Sequence, residues 1–198
     1  EGTNLAYRLI GEYQNEDYWR NFGKNKSRFI APSLTWFGER ATVTASYSHR
    51  DYSAPFDRGT IFDLNTGHAV NVDRKTRFDE AFNITDGYSD LAQLNAEYRL
   101  NDAWTARFDY SYSQDNYNDN QARVVAYDSA TGNLTRRVDG THGSTQKMHS
   151  TRADLQGNVV VGGFYNELLT GVAYENYDLL RTDMLRCKNV KGFNIYHP

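Results

Sequence analysis

The chain has 198 residues, 39% of them hydrophobic and 24% charged, with a net charge of −3. No run approaches the roughly 18–20 apolar residues of a membrane helix, which excludes a helical membrane protein, and the slightly acidic balance offers no polycation for nucleic acid. The single cysteine excludes a disulfide scaffold and a cysteine-based zinc site.

In chain order, the dominant signal is a period of two. Segment 4–13 sets Leu5, Tyr7, Leu9 and Tyr13 on one face, opposite Arg8 and Glu12. Segment 27–37 lines up Ile30, Pro32, Leu34 and Trp36. Segment 40–50 sets Ala41, Val43, Ala45 and Tyr47 against Arg40, Thr42, Thr44, Ser46, Ser48 and Arg50. Segment 91–100 opposes Ala92, Leu94, Ala96, Tyr98 and Leu100 to Gln93, Asn95, Glu97 and Arg99. Segment 103–113 is the purest, with Trp104, Ala106, Phe108, Tyr110 and Tyr112 against Thr105, Arg107, Asp109 and Ser111. Segments 150–161 (Ala153, Leu155, Val159) and 166–179 (Leu168, Val172, Tyr174) complete seven expected strands. A helix, with its period of 3.6, would scramble these faces.

The expected connections alternate in length. Long stretches at 14–26, 52–88, 115–145 and 180–198 alternate with tight turns at Gly38-Glu39, Asn101-Asp102 and Gly162-Gly163. All long connections therefore fall at one end of the sheet. Soluble domains rarely carry structureless loops of that length. A transmembrane β-barrel does so routinely, with strands of about 9–11 residues, short turns on one side and long loops on the other. Aromatic residues fit two interfacial girdles: Trp36, Phe37, Trp104, Phe164 and Tyr165 at the short-turn end, and Tyr47, Tyr110, Tyr112 and Tyr174 toward the other. The polar faces carry Arg8, Glu12, Arg50, Glu97, Arg99, Arg107, Asp109, Arg152, Asp154 and Glu175. So many long charged groups would crowd a small side-chain-filled barrel, so a wide lumen or a plugged one is expected. Seven strands do not close an even-numbered barrel, and the chain is read as a piece of something longer.

Several short elements then resemble the TonB-dependent siderophore receptors of Gram-negative outer membranes, most nearly the ferrichrome/ferrioxamine hydroxamate branch. They are IAPSLTWF (Ile30–Phe37), APFDRGT (Ala54–Thr60), ELLTGVAYENYD (Glu167–Asp178) and FNIYHP (Phe193–Pro198), in the family's order across the chain. The resemblance implies an all-β antiparallel meander that forms part of a 22-stranded transmembrane β-barrel in the bacterial outer membrane. It implies a separate plug domain carrying the TonB box, import driven through TonB, and a ferric siderophore as ligand, hydroxamate favoured. Neither a TonB box nor a C-terminal aromatic strand end is visible, so residues 1–198 are expected to be an N-terminal portion of the barrel with its extracellular loops.

The expected ligand-binding residues lie in the long connections: Tyr52, Phe56, Arg58, Phe62, Tyr117 and Tyr127. Aromatic rings give a bulky chelate large, rigid contact area at low entropic cost. The alternative role for each is to pack the loops together, and Arg58 is expected to pair with neighbouring Asp57 or a plug carboxylate in preference to the ligand. No protein metal site is expected, because His49, His68, His142, His149 and His197 lack partners at ligand spacing; iron would arrive chelated, with no directly bound cofactor. The acidic run Asp115–Asn120 lacks the glycine and terminal glutamate of a calcium loop and reads as a solvated loop. Asn25, Asn83 and Asn133 head Asn-X-Ser/Thr triplets that mean little in a bacterial outer membrane, and Cys187 is either free or paired outside this sequence. Nucleophile, phosphate-loop and dinucleotide motifs are absent, so no enzyme is expected. Two other readings stay open: a porin or other outer-membrane channel, and a soluble lipocalin-like ligand-binding domain with its apolar faces turned to a shared core.

Overall fold

A computed structural model describes residues 4–197; Pro198 of the Phe193–Pro198 element and the residues before Asn4 lie outside that range. The described residues form nine strands and no helix: β1 (Leu5–Asp17), β2 (Lys24–Phe37), β3 (Ala41–Pro55), β4 (Ile84–Arg99), β5 (Trp104–Asp128), β6 (Asn133–Val161), β7 (Phe164–Leu180), β8 (Leu185–Arg186) and β9 (Val190–Asn194). Strands β1 to β7 pair in sequence order, every neighbour antiparallel, while β8 and β9 add to β6 beyond the end of β7. The expected all-β meander of seven main strands is therefore the observed fold.

Register carries the period-two pattern across the whole sheet. Leu5 faces Trp36, Trp36 faces Val43, Val43 faces Ala96, Ala96 faces Phe108, Phe108 faces Ala153 and Ala153 faces Val172. That row is one continuous apolar face. The next row, one residue along, contains Thr44, Asn95, Asp109 and Arg152. On this polar face, Arg107 Nε lies 2.9 Å from Glu97, Asn95 Nδ2 donates to Asp109 at 2.6 Å, and Gln156 donates to Glu167 at 2.9 Å. Trp104 lies over its cross-strand partner Gly157, where a Cβ would meet the indole at 2.3 Å, so glycine lets the ring flatten onto the sheet.

The sheet is a single layer. Only Phe78, Ala122, Leu134 and Ile195 are buried hydrophobics among the described residues, and all lie beyond the long-loop end. The apolar face stands open, with Leu9 67% and Val172 74% exposed. The chain presents 13530 Å² of surface, against about 9,500 Å² for a compact monomer of this mass. A lipocalin-like domain would turn that face to an inner core; here no second layer covers it.

Each of the long connections expected from sequence is corrected, and the 180–198 stretch holds β8 and β9. The 115–145 segment is a paired extension of β5 and β6 that narrows to a turn between Asp128 and Asn133, and the Asp115–Asn120 run is strand, paired to β4 and β6. The 14–26 connection contracts to 18–23, and the 52–88 connection to 56–83, because β1 to β4 run further than their apolar pattern. These extensions are largely polar, with apolar residues at scattered positions, so the alternation fades although the backbone ladder continues. The girdle also needs correcting: Phe37 and Tyr165 follow Trp36 and Phe164 by one residue and project from the polar face.

Candidate functional site

The long-loop end is a braced platform. Segment 56–83 is fixed at both sides. On the side of the β1–β2 turn, Arg20 pairs with Asp57 at 2.9 Å, Tyr18 Oη donates to Asp57 at 3.0 Å, and the Asn21 amide donates to Lys75 O at 2.9 Å. Burial pushes the Asp57 carboxyl up, but the Gly59 amide, Arg20 and Tyr18 outweigh it and hold the group below the usual carboxylate range. Arg77 donates to Phe22 O at 3.1 Å, stacks over the Phe22 ring at 4.5 Å and pairs with Asp79 at 2.8 Å. On the hairpin side, Arg136 pairs with Glu80, donates to Phe78 O at 3.1 Å and lies 3.6 Å from the Phe193 ring centroid.

Asn83 joins this platform to the sheet. The β4–β5 ladder ends at Ile84 opposite Asn120. One step on, the Asn83 side chain takes the place of a strand: the Ala122 amide donates to Asn83 Oδ1 at 2.7 Å, and Asn83 Nδ2 donates to Ala122 O at 2.9 Å. Asn83 is 1% exposed, so these bonds satisfy backbone groups that water does not reach.

The six residues expected to bind ligand do not form one cluster. Tyr52 and Tyr117 flank Gly87 of β4, from β3 and β5 respectively, on the polar face. A Cβ at Gly87 would meet Asn116 O at 2.0 Å, so the strands approach too closely here for any other residue. Two further residues belong to this patch: Arg50, expected from sequence only as part of the polar wall, and Phe29, to which the sequence pattern assigns no role. Arg50 lies on the polar face one pleat from Tyr52, stacked 4.9 Å from the Phe29 ring and donating to Ser27 Oγ at 3.3 Å. Counting back from the tight turn before Ala41 sets Phe29 opposite Arg50, and that count is the signal that reveals the pair.

Phe56 and Arg58 form a second group, with the guanidinium 4.8 Å from the ring centroid. The expected pairing of Arg58 with Asp57 does not occur, because Asp57 is taken by Arg20, Tyr18 and the Gly59 amide. Arg58 lines a cleft of about 260 Å³ together with Ile61, Phe78, Asp79, Arg123 and Val124. Phe62 stands apart, 56% exposed and bridged to Ala69. Tyr127 packs, with Val124 and Phe193, against the small core of Phe78, Leu134 and Ile195. The loop-packing role thus describes Tyr127. Among the described residues, no group of three metal-ligating side chains comes together.

No family model matches the chain. Two curated relatives, both metal-pseudopaline receptors CntO from strains of Pseudomonas aeruginosa, are 25% and 24% identical to it over 199 aligned positions, which take in 99% of the chain. The chain spans about a quarter (27%) of the length of these relatives. Among solved structures, BauA, the ferric preacinetobactin receptor of Acinetobacter baumannii, superposes with a TM-score of 0.82 at 21% identity over 98% of this chain and 30% of its own. The ferric-catecholate import receptor Fiu of E. coli, in its open form, gives 0.75 at 19% identity over 100% and 33%. The ferripyoverdine receptor of the Pseudomonas aeruginosa outer membrane gives 0.77 at 15% identity over 87% and 23%. The fold of this chain is that of a segment shared by outer-membrane receptors of this kind.

Proposed function

We propose that this chain forms part of the barrel wall and outer platform of a TonB-dependent receptor that binds metal–chelator complexes and imports them across the bacterial outer membrane. One observation carries the proposal: a single-layer antiparallel meander, apolar on one face and charged on the other, with every long connection gathered at one end. Such a sheet is stable when lipid covers the apolar face and neighbouring strands cover its edges. The superposition on three receptor structures and the resemblance to the curated relatives support the same reading.

In this reading, residues 1–198 supply a share of a 22-stranded barrel; a plug and the other strands belong to the rest of the receptor. Tyr52, Tyr117, Phe29 and Arg50 line the mouth on the lumen side, with Phe56 and Arg58 above them. The hydroxamate class expected from the sequence is one candidate ligand. The relatives, receptors for metal-pseudopaline, ferric preacinetobactin, ferric catecholate and ferripyoverdine, support the wider class of metal chelates and not that branch. The wall would serve recognition and passage, with no catalytic step.

The test is uptake of radiolabelled iron by cells expressing the intact receptor, with and without TonB, supplied as ferric hydroxamate, catecholate or carboxylate chelates. Uptake of at least one chelate, lost without TonB, is expected. Absence of binding and uptake for every class, or uptake independent of TonB, would overturn the proposal and favour a diffusion channel.

A further inference from the structure

The cleft beside Arg58 has a chemistry that the general reading leaves unused. Asp79 lines it with its side chain 3% exposed. One carboxylate oxygen, Oδ2, accepts from Arg77 at 2.8 Å, while Oδ1 is buried without a hydrogen-bond partner among the described residues. A buried charged oxygen left unpaired is costly, which marks a place where a donor belongs. Two cationic groups share the cleft. Arg58 stacks on Phe56 and has no carboxylate partner among the described residues. Arg123 lies 2.9 Å from Asp139, but that fully buried carboxylate also receives Arg137 at 2.8 Å, so one anion serves two guanidiniums. The Arg77–Asp79 pair is internally balanced. The cleft therefore carries surplus positive charge beside one acceptor in need of a donor, between apolar walls of Ile61, Phe78 and Val124.

Its size limits the occupant. About 260 Å³ falls below the roughly 300–1,000 Å³ of whole small-molecule sites, so the cleft fits one arm of a chelate. We propose, resting on the receptor reading above, that it seats a carboxylate arm whose adjacent carbon bears a hydrogen-bond donor. The carboxylate goes to Arg58 and Arg123, and the amino or hydroxyl group goes to the Asp79 carboxylate. Planar guanidinium forks suit a carboxylate. Neither a neutral hydroxamate nor a catechol ring supplies both an anion and a neighbouring donor on sp³ carbon.

The test uses the intact receptor in detergent and four probes whose iron is held by other groups: a ferric tris-catecholate bearing a pendant α-hydroxy acid, one bearing a pendant α-amino acid, ferrichrome, and the unsubstituted ferric tris-catecholate. Either carboxylate probe is expected to bind, and Arg58→Gln is expected to lower the ratio of its affinity to that of the neutral or catecholate probe by about tenfold or more, as loss of a charge-assisted hydrogen bond does. Arg58→Lys is expected to recover part of that ratio, which a merely structural role would not produce. Asp79→Asn is expected to weaken the amino acid probe more than the hydroxy acid probe, because an ammonium group loses an ion pair there and a hydroxyl only a hydrogen bond; unchanged binding of both in the folded variant would remove Asp79 from the site. Heat-modifiable migration of the barrel on gels checks that each variant is folded; should Arg58→Gln fail that check, Arg123→Gln reads the same ratio. An unchanged ratio in folded variants overturns the carboxylate cleft, as does binding of ferrichrome or catecholate with neither carboxylate probe bound; the receptor reading survives both results. Binding of no probe at all overturns the two together.

Discussion

Leu94→Arg tests which side of the sheet meets lipid. Leu94 sits on the apolar face of β4 between Ala45 and Tyr110. It lies five residues from Arg99, the last residue of β4 at the tight-turn end. At about 3.4 Å per residue that is ~17 Å along the strand. A tilt of ~45° reduces it to ~12 Å of depth, about half of the ~25 Å apolar band of an outer-membrane barrel. Arginine at that depth costs about 2–4 kcal/mol. The adjacent Gln93 projects from the polar face, facing Ser46, and Gln93→Arg there should cost under ~1 kcal/mol. The assay is reversible denaturant unfolding of the intact receptor barrel in lipid vesicles, comparing both variants with the wild type. Equal costs for the two substitutions, or a larger cost for Gln93→Arg, would refute the assignment of faces.

Asn83→Ala removes both hydrogen bonds to the buried Ala122 backbone and should destabilise the platform by about 2–5 kcal/mol, read as faster hydrogen exchange at the Ala122 amide with little change in β1 and β2; unchanged exchange would show that the side chain is no strand substitute. Gly87→Val places a Cβ where Asn116 O already lies 2.0 Å away, so it should unzip the outer part of the β4–β5 ladder, and a short bis-maleimide that bridges cysteines at positions 52 and 117, two strand spacings or about 10 Å apart, should fail to link them in that variant. Acid should loosen the platform through Asp57, whose folded carboxyl sits below its ordinary value. Its contribution is complete above the unfolded value near 3.9 and is lost as pH falls through the lower folded value. Pepsin should therefore nick 56–83 increasingly below about pH 4, relative to an unstructured control peptide, and Asp57→Asn should be nicked already at pH 5; a flat ratio would remove Asp57 from the brace.

Alternation alone determined the seven main strands, their meander order and which side chains share a face, because each wall strand separates an apolar medium from a polar one and its side-chain period is two. Trp104 to Tyr112 and their partners in β4 could be assigned without coordinates. Beyond the apolar band β5 and β6 leave the lipid and meet water and the folded-back connections, so Asp115 to Asp128 keep apolar side chains only at scattered positions such as Ala122, Val124 and Tyr127, and register shifts near Tyr117 and Val124 disturb what remains of the alternation. Only the tertiary structure decided that this stretch pairs with Asn133 to Gln146, that the Asn83 side chain stands in for a strand beside Ala122, and that Arg20 claims Asp57 and leaves Arg58 beside Asp79. Those contacts join residues up to 39 positions apart, and they depend on where two long connections fold back across the sheet, a placement set by mutual packing and ion pairing rather than by any local preference of the chain.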